Sequence, residues 1–372
     1  MRQVTVILAF PQLHNFDERE AMTHETDPQR RNFLGVAALT MAAAPFISMG
    51  SAFAKSGMSK SPVTIPPATP GSNATFGPIK QINAGELNMG YAEAGPADGP
   101  VVILLHGWPY DIHSFVDVAP LLAAQGYRVI IPHFRGYGTT RFLSADTYRN
   151  GQQVRNAIDI IALMDALKIK SAVFGAFDWG ANCACQIAAL WPERCKALVS
   201  VSGYIIAGQP LFAHPLPPKI EQQWWYVWYF ATDRGKLGYE KNWKDFNRLI
   251  WTTASPKWNF SDATFERSAV SFENPDFAEI TINHYRWFLG LSKGEPQYDA
   301  LEQRLAAAPN IGVPTITLEG SDNGAPHPPA AAYAKKFTGK YAHRDIGGGV
   351  GHNLPQEAPQ EFAQAIVDVD RF

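Results

Sequence analysis

Three short stretches hold residues that could do chemistry together. Phe174-Gly175-Ala176-Phe177-Asp178-Trp179-Gly180 joins a strand-like run to a helix-like one, with small residues two places either side of the carboxylate. A reactive side chain on a sharp strand-to-helix turn needs such neighbours, because backbone closes in around it. The helix starting at Trp179 would turn its positive end toward Asp178. An ordinary helix-capping aspartate would explain the position but not the small-x-Asp-x-small spacing. Gly349-Val350-Gly351-His352-Asn353 follows the last strand-like run and offers a histidine as general base. Leu104-Leu105-His106-Gly107-Trp108-Pro109 follows another. A carboxylate is a poor catalyst of acyl transfer. It can displace a leaving group from an sp3 carbon, giving an ester whose carbonyl water then attacks.

The elements that must position these residues read as follows. Apolar runs at 101–105, 127–132, 171–175 and 197–201 have the composition of buried parallel strands. Helical spacing separates them at 156–167 and 180–191, and residues 79–93 form a hairpin turning near Ala84-Gly85. The alternation stops over 204–300, which is aromatic-rich and helical. It resumes with a strand at 313–318, a helix at 330–337, a strand at 342–346 and a helix at 359–372. This is an α/β chain with a mostly parallel central sheet flanked by helices. The core comprises 79–203 and 301–372, and a helical cap (204–300) is inserted between two strands.

In this order, over about residues 79–372, the three landmarks resemble the α/β-hydrolase fold, in its epoxide hydrolase and haloalkane dehalogenase branch. The resemblance implies Asp178 as nucleophile, His352 as base, and the backbone N–H groups of Trp108 and Trp179 as oxyanion donors. It implies a pocket lined by His106, Trp108, Pro109, Trp179, Trp225 and Tyr229, and a cis Trp108–Pro109 bond. Relatives place the acid that orients the histidine in the loop after the strand at 313–318, commonly three residues past its glycine. That position is Asn323, so Asp322 is taken as the acid, with Glu319 as runner-up; the other family location, Val201-Ser202-Gly203-Tyr204, has no carboxylate.

Trp225-Tyr226-Val227-Trp228-Tyr229-Phe230 and His284-Tyr285-Arg286-Trp287 resemble the segments that carry the paired tyrosines of epoxide hydrolases. Tyr226 and Tyr285 are the pair by that match, with Tyr229 competing for the first place. Ring opening expels an alkoxide, and a phenol is a far better proton donor to it than water. A halide needs no proton, only N–H donors such as the indole of Trp179. The resemblance therefore implies a small apolar epoxide as substrate, with a halogenated one as the alternative. Haloacetate dehalogenases carry arginines beside the nucleophile; Trp179-Gly180-Ala181-Asn182 has none. A non-catalytic binding member of the fold would be expected to have lost nucleophile, base or acid, and candidates for all three are present. Phe134-Arg135-Gly136-Tyr137-Gly138 resembles a structural turn of the family.

The bulk composition excludes other classes. A net charge of −2 gives no reason to expect nucleic acid as a partner. Three cysteines cannot pair completely within one chain, and no Cys/His spacing suits a metal. No glycine-rich loop fits a nucleotide, and no cofactor is implied. Residues 1–54 read as an N-terminal extension and a twin-arginine signal. Arg30-Arg31 precede an Ala-rich apolar stretch and Ala52-Phe53-Ala54, with cleavage expected after Ala54. Such a signal implies export to the periplasm or beyond. The apolar stretch is short and broken by Pro45, so stable membrane insertion is not expected. Residues 55–78, rich in Ser, Pro, Thr and Gly, read as an exposed linker.

Overall fold

The computed structural model describes residues 63–206 and 208–372; the expected signal and the start of the expected linker lie outside them. One nine-stranded sheet runs through the molecule. Its strands are β1 (Lys80–Ala84), β2 (Leu87–Ala94), β3 (Val101–Leu105), β4 (Arg128–Pro132), β5 (Arg141–Phe142), β6 (Ala172–Ala176), β7 (Cys195–Val201), β8 (Thr315–Gly320) and β9 (Tyr341–Ile346). The spatial order is β1-β2-β4-β3-β6-β7-β8-β9, with β5 paired to β2. The pairs β1–β2 and β2–β4 are antiparallel, and every pair from β4 to β9 is parallel. The hairpin turns one residue later than the sequence implies, at Gly85-Glu86, with Ala84 opposite Leu87. β6 and β8 are buried at every position, as strands covered on both faces must be.

Three helices of the core precede the cap: α1 (Val118–Ala124), α2 (Val154–Ala166) and α3 (Trp179–Leu190). Between β7 and β8 come α4 (Gln209–Phe212), α5 (Pro218–Gln223), α6 (Trp225–Ala231), α7 (Asp233–Ala254), α8 (Asp262–Ala269), α9 (Phe277–Phe288) and α10 (Asp299–Ala306). Helix α10 straddles the boundary placed at 300. After β8 follow α11 (Ala330–Tyr333), α12 (Leu354–Glu357) and α13 (Pro359–Val369). The helix expected over 330–337 stops being α-helical after Tyr333. Phe337 pairs with Ile311 in an isolated bridge, which draws the chain out of the helix.

Residues 63–78, the described part of the segment read as an exposed linker (55–78), are mostly exposed but anchored to the core at two places. Ile65 is fully buried, its N–H donating to Gln364 at 2.7 Å and its carbonyl accepting from Gln360 at 3.2 Å. Farther along, Asp117 accepts from the N–H groups of Gly71 and Asn73 at 2.6 and 2.8 Å. The segment is bound across α13 and the start of α1 by side chains more than forty residues away in sequence, which local composition cannot reveal.

The three cysteines are unpaired and buried. Among the described residues no helix is long and apolar enough to cross a membrane, and no group of three or more His, Cys, Asp or Glu could hold a metal ion. The turn after β4 is tied down by Arg135, whose guanidinium holds both oxygens of Asp159 at 2.7 and 2.9 Å and the Asn150 carbonyl at 2.8 Å. All three groups are buried, so the charge is neutralised where water cannot do it.

Candidate active site

The C-terminal ends of β3 and β6 lie side by side, with Leu105 opposite Ala176, and this juxtaposition builds the site. At Asp178 the chain leaves β6 and enters α3 with φ 51° and ψ −127°, a conformation costly for a residue with a Cβ. The Asp178 side chain makes no capping bond to its own helix. It points instead into the space where the β3 loop ends, and its Oδ1 accepts from the Trp108 N–H at 2.7 Å. Two glycines make this approach feasible. A Cβ on Gly107 would stand 2.4 Å from that of Asp178, and one on Gly180 would stand 2.1 Å from the Leu105 carbonyl oxygen. The Trp108–Pro109 bond is cis.

His352 sits in the loop between β9 and α12. Its Nε2 is 3.2 Å from Asp178 Oδ2. The loop is pinned from the cap side: Ser255, which ends α7, accepts from the His352 N–H at 2.9 Å and donates to Glu357 at 2.7 Å. Glu357 also accepts from the Gly351 N–H at 2.8 Å. The signal for Ser255 was absent from local sequence, since it acts across 97 residues.

The expected acid is not where it was placed. Asp322 is turned outward, 2.6 Å from Lys257 Nζ and 3.0 Å from Ser321 Oγ, because its N–H bonds to the Val350 carbonyl and aims the side chain away from the cleft. The atom on His352 Nδ1 is Asn323 Oδ1, at 3.1 Å. Glu319, the runner-up, lies behind: its Oε1 accepts from Asn323 Nδ2 at 2.8 Å. The side chain in contact with the histidine is thus a neutral amide backed by a carboxylate.

From the cap, α6 brings Tyr226 and α9 brings Tyr285, with ring centroids 5.4 Å apart. Both stand close to Trp108, at 5.1 and 5.2 Å. Burial pushes both phenols well above their ordinary pKa. For Tyr226 the Asp178 charge adds to this, and for Tyr285 so do the neighbouring Tyr226 and then Asp178. A hydrogen bond with the other tyrosine opposes the rise at Tyr226, and one with Trp179 opposes it at Tyr285. His284, not foreseen, lies against Trp179 with centroids 4.0 Å apart and bonds through Nδ1 to the Gly151 carbonyl at 2.6 Å. Burial lowers its pKa to about 4, so it is neutral near pH 7.

These groups face a cavity of about 1010 Å3 lined by Asp178, His352, Tyr226, Tyr285, Trp108 and Trp179, among others. Trp225 lines it as expected, but three predicted wall residues do not. His106 is buried beneath the loop, bonding to the Gly107 carbonyl at 3.0 Å and accepting from the Phe134 N–H at 3.3 Å. Pro109 is directed away, its carbonyl accepting from the Trp251 indole at 2.7 Å. Tyr229 faces a separate outer groove with Gly238 and Phe246. Asp178 is the sole acid among the described lining residues, and none of them is Lys or Arg.

A family model described as the alpha/beta hydrolase fold matches residues 100–240. A crystal structure of a candidate epoxide hydrolase from Klebsiella pneumoniae subsp. pneumoniae superposes with a TM-score of 0.78 at 62% identity, over 79% of this chain and 97% of that one. This chain belongs to the α/β-hydrolase family. Within the family, Epoxide hydrolase 3 of Siraitia grosvenorii is 35% identical over 129 residues, 35% of this chain and 40% of that protein. Epoxide hydrolase B of Mycobacterium tuberculosis is 32% identical over 151 residues, 37% of this chain and 41% of that protein. The chain therefore spans about two fifths of the length of these two curated α/β-hydrolase relatives.

Proposed function

We propose that this protein opens a neutral, apolar epoxide to a vicinal diol through a covalent ester on Asp178. The observation that carries the reading is the division of labour around one carboxylate. Oδ1 is held by the Trp108 N–H, Oδ2 lies beside His352 Nε2, and two protonated phenols stand in the opposite wall of the cavity.

The steps follow from that arrangement. Asp178 Oδ2 attacks an epoxide carbon, the C–O bond breaks, and the oxygen takes a proton from Tyr226 or Tyr285. Burial keeps both phenols protonated through the neutral range, so the donor is present when the alkoxide forms. Water then gives its proton to His352 Nε2 and adds to Asp178 Cγ. Negative charge develops on Oδ1, where the Trp108 N–H already stands. Collapse breaks the Cγ–Oδ2 bond, the departing oxygen takes the proton from His352, the carboxyl proton of Asp178 is lost and the tyrosine phenolate regains one, and the diol leaves with an oxygen from the protein.

A halide reading is less well supported. Trp108 Nε1 donates to Tyr239 Oη at 3.1 Å, so its N–H is not free to receive a halide. With no Lys or Arg in the described lining, an anionic substrate would meet only the like charge of Asp178. A cavity of about 1010 Å3 stands at the upper end for small-molecule sites and favours substrates bulkier than the smallest epoxides. Residues 27–54 support export through a twin-arginine route, with the enzyme acting outside the cytoplasm.

The test is a single turnover of styrene oxide with excess enzyme in heavy-oxygen water. The diol should emerge unlabelled, and the peptide containing Asp178 should gain one heavy oxygen. A labelled diol with an unlabelled peptide would mean that water attacked the epoxide directly.

A further inference from the structure

The end of β8 and the loop that follows it set an amide against His352 and a carboxylate behind that amide. Every hydrogen-bonding position of the Asn323 side chain is occupied. Its Nδ2 donates to Glu319 Oε1 at 2.8 Å and to Ser202 Oγ at 3.1 Å. Its Oδ1 accepts from the Ala325 N–H at 2.9 Å and faces His352 Nδ1 at 3.1 Å. Two of these partners permit one role each: a carboxylate can only accept, and a backbone N–H can only donate. They fix which end of the amide meets the histidine. Oδ1 must face Nδ1, so Nδ1 carries a ring proton, and Nε2 is the nitrogen turned toward Asp178.

A neutral amide fixes the tautomer but supplies no negative charge for the imidazolium that forms when water is deprotonated. Glu319 is buried, one side-chain bond away. Its second oxygen, Oε2, has no hydrogen-bond partner among the described residues; the nearest cationic candidate is His327 Nε2 at 3.7 Å. Asp322, in the loop after β8, is committed to Lys257 at the surface.

We infer that Glu319 is a positioning residue that acts through Asn323 on His352, the pair doing together what one carboxylate in contact with the histidine would do. This rests on the ester mechanism proposed above. It assigns Glu319 to the second half-reaction alone, because alkylation of Asp178 needs no base. The charge polarises the intervening amide and strengthens its bond to the imidazolium.

Three variants test it. Glu319→Gln keeps an acceptor for Asn323 and removes the charge. Ester hydrolysis should slow on the order of tenfold, with the rate of adduct formation unchanged, so alkylated enzyme builds up in rapid-quench mass spectrometry. Asn323→Asp combined with Glu319→Gln moves the carboxylate into direct contact with His352 and should restore hydrolysis to within a few-fold of the parent; a merely structural Glu319 would not be rescued this way. His352→Ala is the reference in which adduct accumulates fully. Equal hydrolysis rates in Glu319→Gln and the parent would overturn the relay, as would a double variant no faster than Glu319→Gln. If His352→Ala itself never carries adduct, the ester mechanism is what fails. Nitrogen NMR of His352 remains decisive for the relay in that case. The parent should show a proton on Nδ1, and its resonance should move in Glu319→Gln; an Nδ1 without a proton would refute the arrangement.

Discussion

The two walls of the cavity are made by different means. The core wall, with Asp178, Trp108 and His352, is set by backbone. A strained turn, two glycines that admit close contact and directed hydrogen bonds leave each group one position. The cap wall, with Tyr226, Tyr285 and Trp225, is set by side-chain packing. Phe230 stacks on Tyr285 at 5.4 Å, and Phe246 stands 5.0 Å from Trp225. Backbone placement is intolerant and local, whereas aromatic packing spreads its tolerance over many contacts. The core wall should therefore fail sharply under small changes and the cap wall by degrees.

The largest effect is expected from Gly107→Ala. The added methyl would stand 2.4 Å from Asp178 Cβ, a contact that real Cβ atoms do not make, so the nucleophile or the loop must shift by about an ångström. A displacement of that size costs on the order of 100-fold in rate or more, and both half-reactions use the atoms displaced. The check is kcat/KM on an aryl epoxide beside a melting curve. A variant that folds like the parent and retains more than half its activity would show the core wall to be as forgiving as the cap.

Tyr285→Phe comes next. One phenol remains, so ring opening should fall about tenfold rather than by the factor of 100 or more that loss of all acid catalysis would bring. The defect should lie in adduct formation and leave ester hydrolysis intact, the reverse of the Glu319→Gln pattern. Tyr226→Phe combined with Tyr285→Phe should approach complete loss. A double variant no worse than either single one would remove the tyrosines from the chemistry.

How far the sequence reveals each wall follows from the same contrast. Asp178, Trp108 and His352 are legible because backbone constraint leaves local marks: small residues around the elbow, glycines around the histidine and a glycine between His106 and Trp108. The parallel strands are legible because burial on both faces requires continuous apolar runs. The partner of His352 was not legible. Residue 319 lies at the end of a strand while 322 and 323 follow on the turn, neighbouring side chains on a turn diverge, and preferring a charged residue to a neutral one selects Asp322 over Asn323. His106 and Pro109 were read as wall because they flank Trp108, yet one points beneath the loop and the other away from the cavity. The anchoring of residues 63–78 at Ile65, Gly71 and Asn73 is not legible either, because it depends on Gln360, Gln364 and Asp117 elsewhere in the chain.

Acid should weaken both walls in a predictable direction. Burial lowers His106, in the core loop, and His284, in the cap, each to about 4, against 6.5 for an exposed ring. Below 6.5 the unfolded chain takes up protons that the folded chain refuses. This part of the stability is complete above about pH 6.5 and is lost as pH falls toward 4. Each group should cost roughly 2 kcal/mol at pH 5 relative to pH 7. His133, lowered to about 3, acts in the same sense. Urea unfolding at the two pH values measures the sum. His284→Gln should reduce the difference by about one third, since it removes one of three such rings; an unchanged difference would mean that His284 takes its proton in the fold as readily as outside it.

The smallest effect is expected from Tyr229→Phe, and it fixes the register of the cap. Three residues along a helix from Tyr226 is a turn of about 60° away from it, enough to carry a side chain from one surface to the next. Tyr229 accordingly faces the outer groove, its ring parallel to Phe246 at 6.0 Å and its hydroxyl over Gly238, while Tyr226 faces the cavity. Removing that hydroxyl should leave epoxide turnover at the parent value and change stability by less than about 0.5 kcal/mol. A tenfold loss of turnover would place Tyr229 inside. The helix would then be turned by one step from the position described here, and Tyr226 would pass to the outer face. Packing shares the hold on α6 with one bond from the neighbouring helix, Arg286 Nε to the Phe230 carbonyl at 2.8 Å, so this comparison of two phenylalanine variants is a direct measure of how firmly the cap aims a catalytic proton.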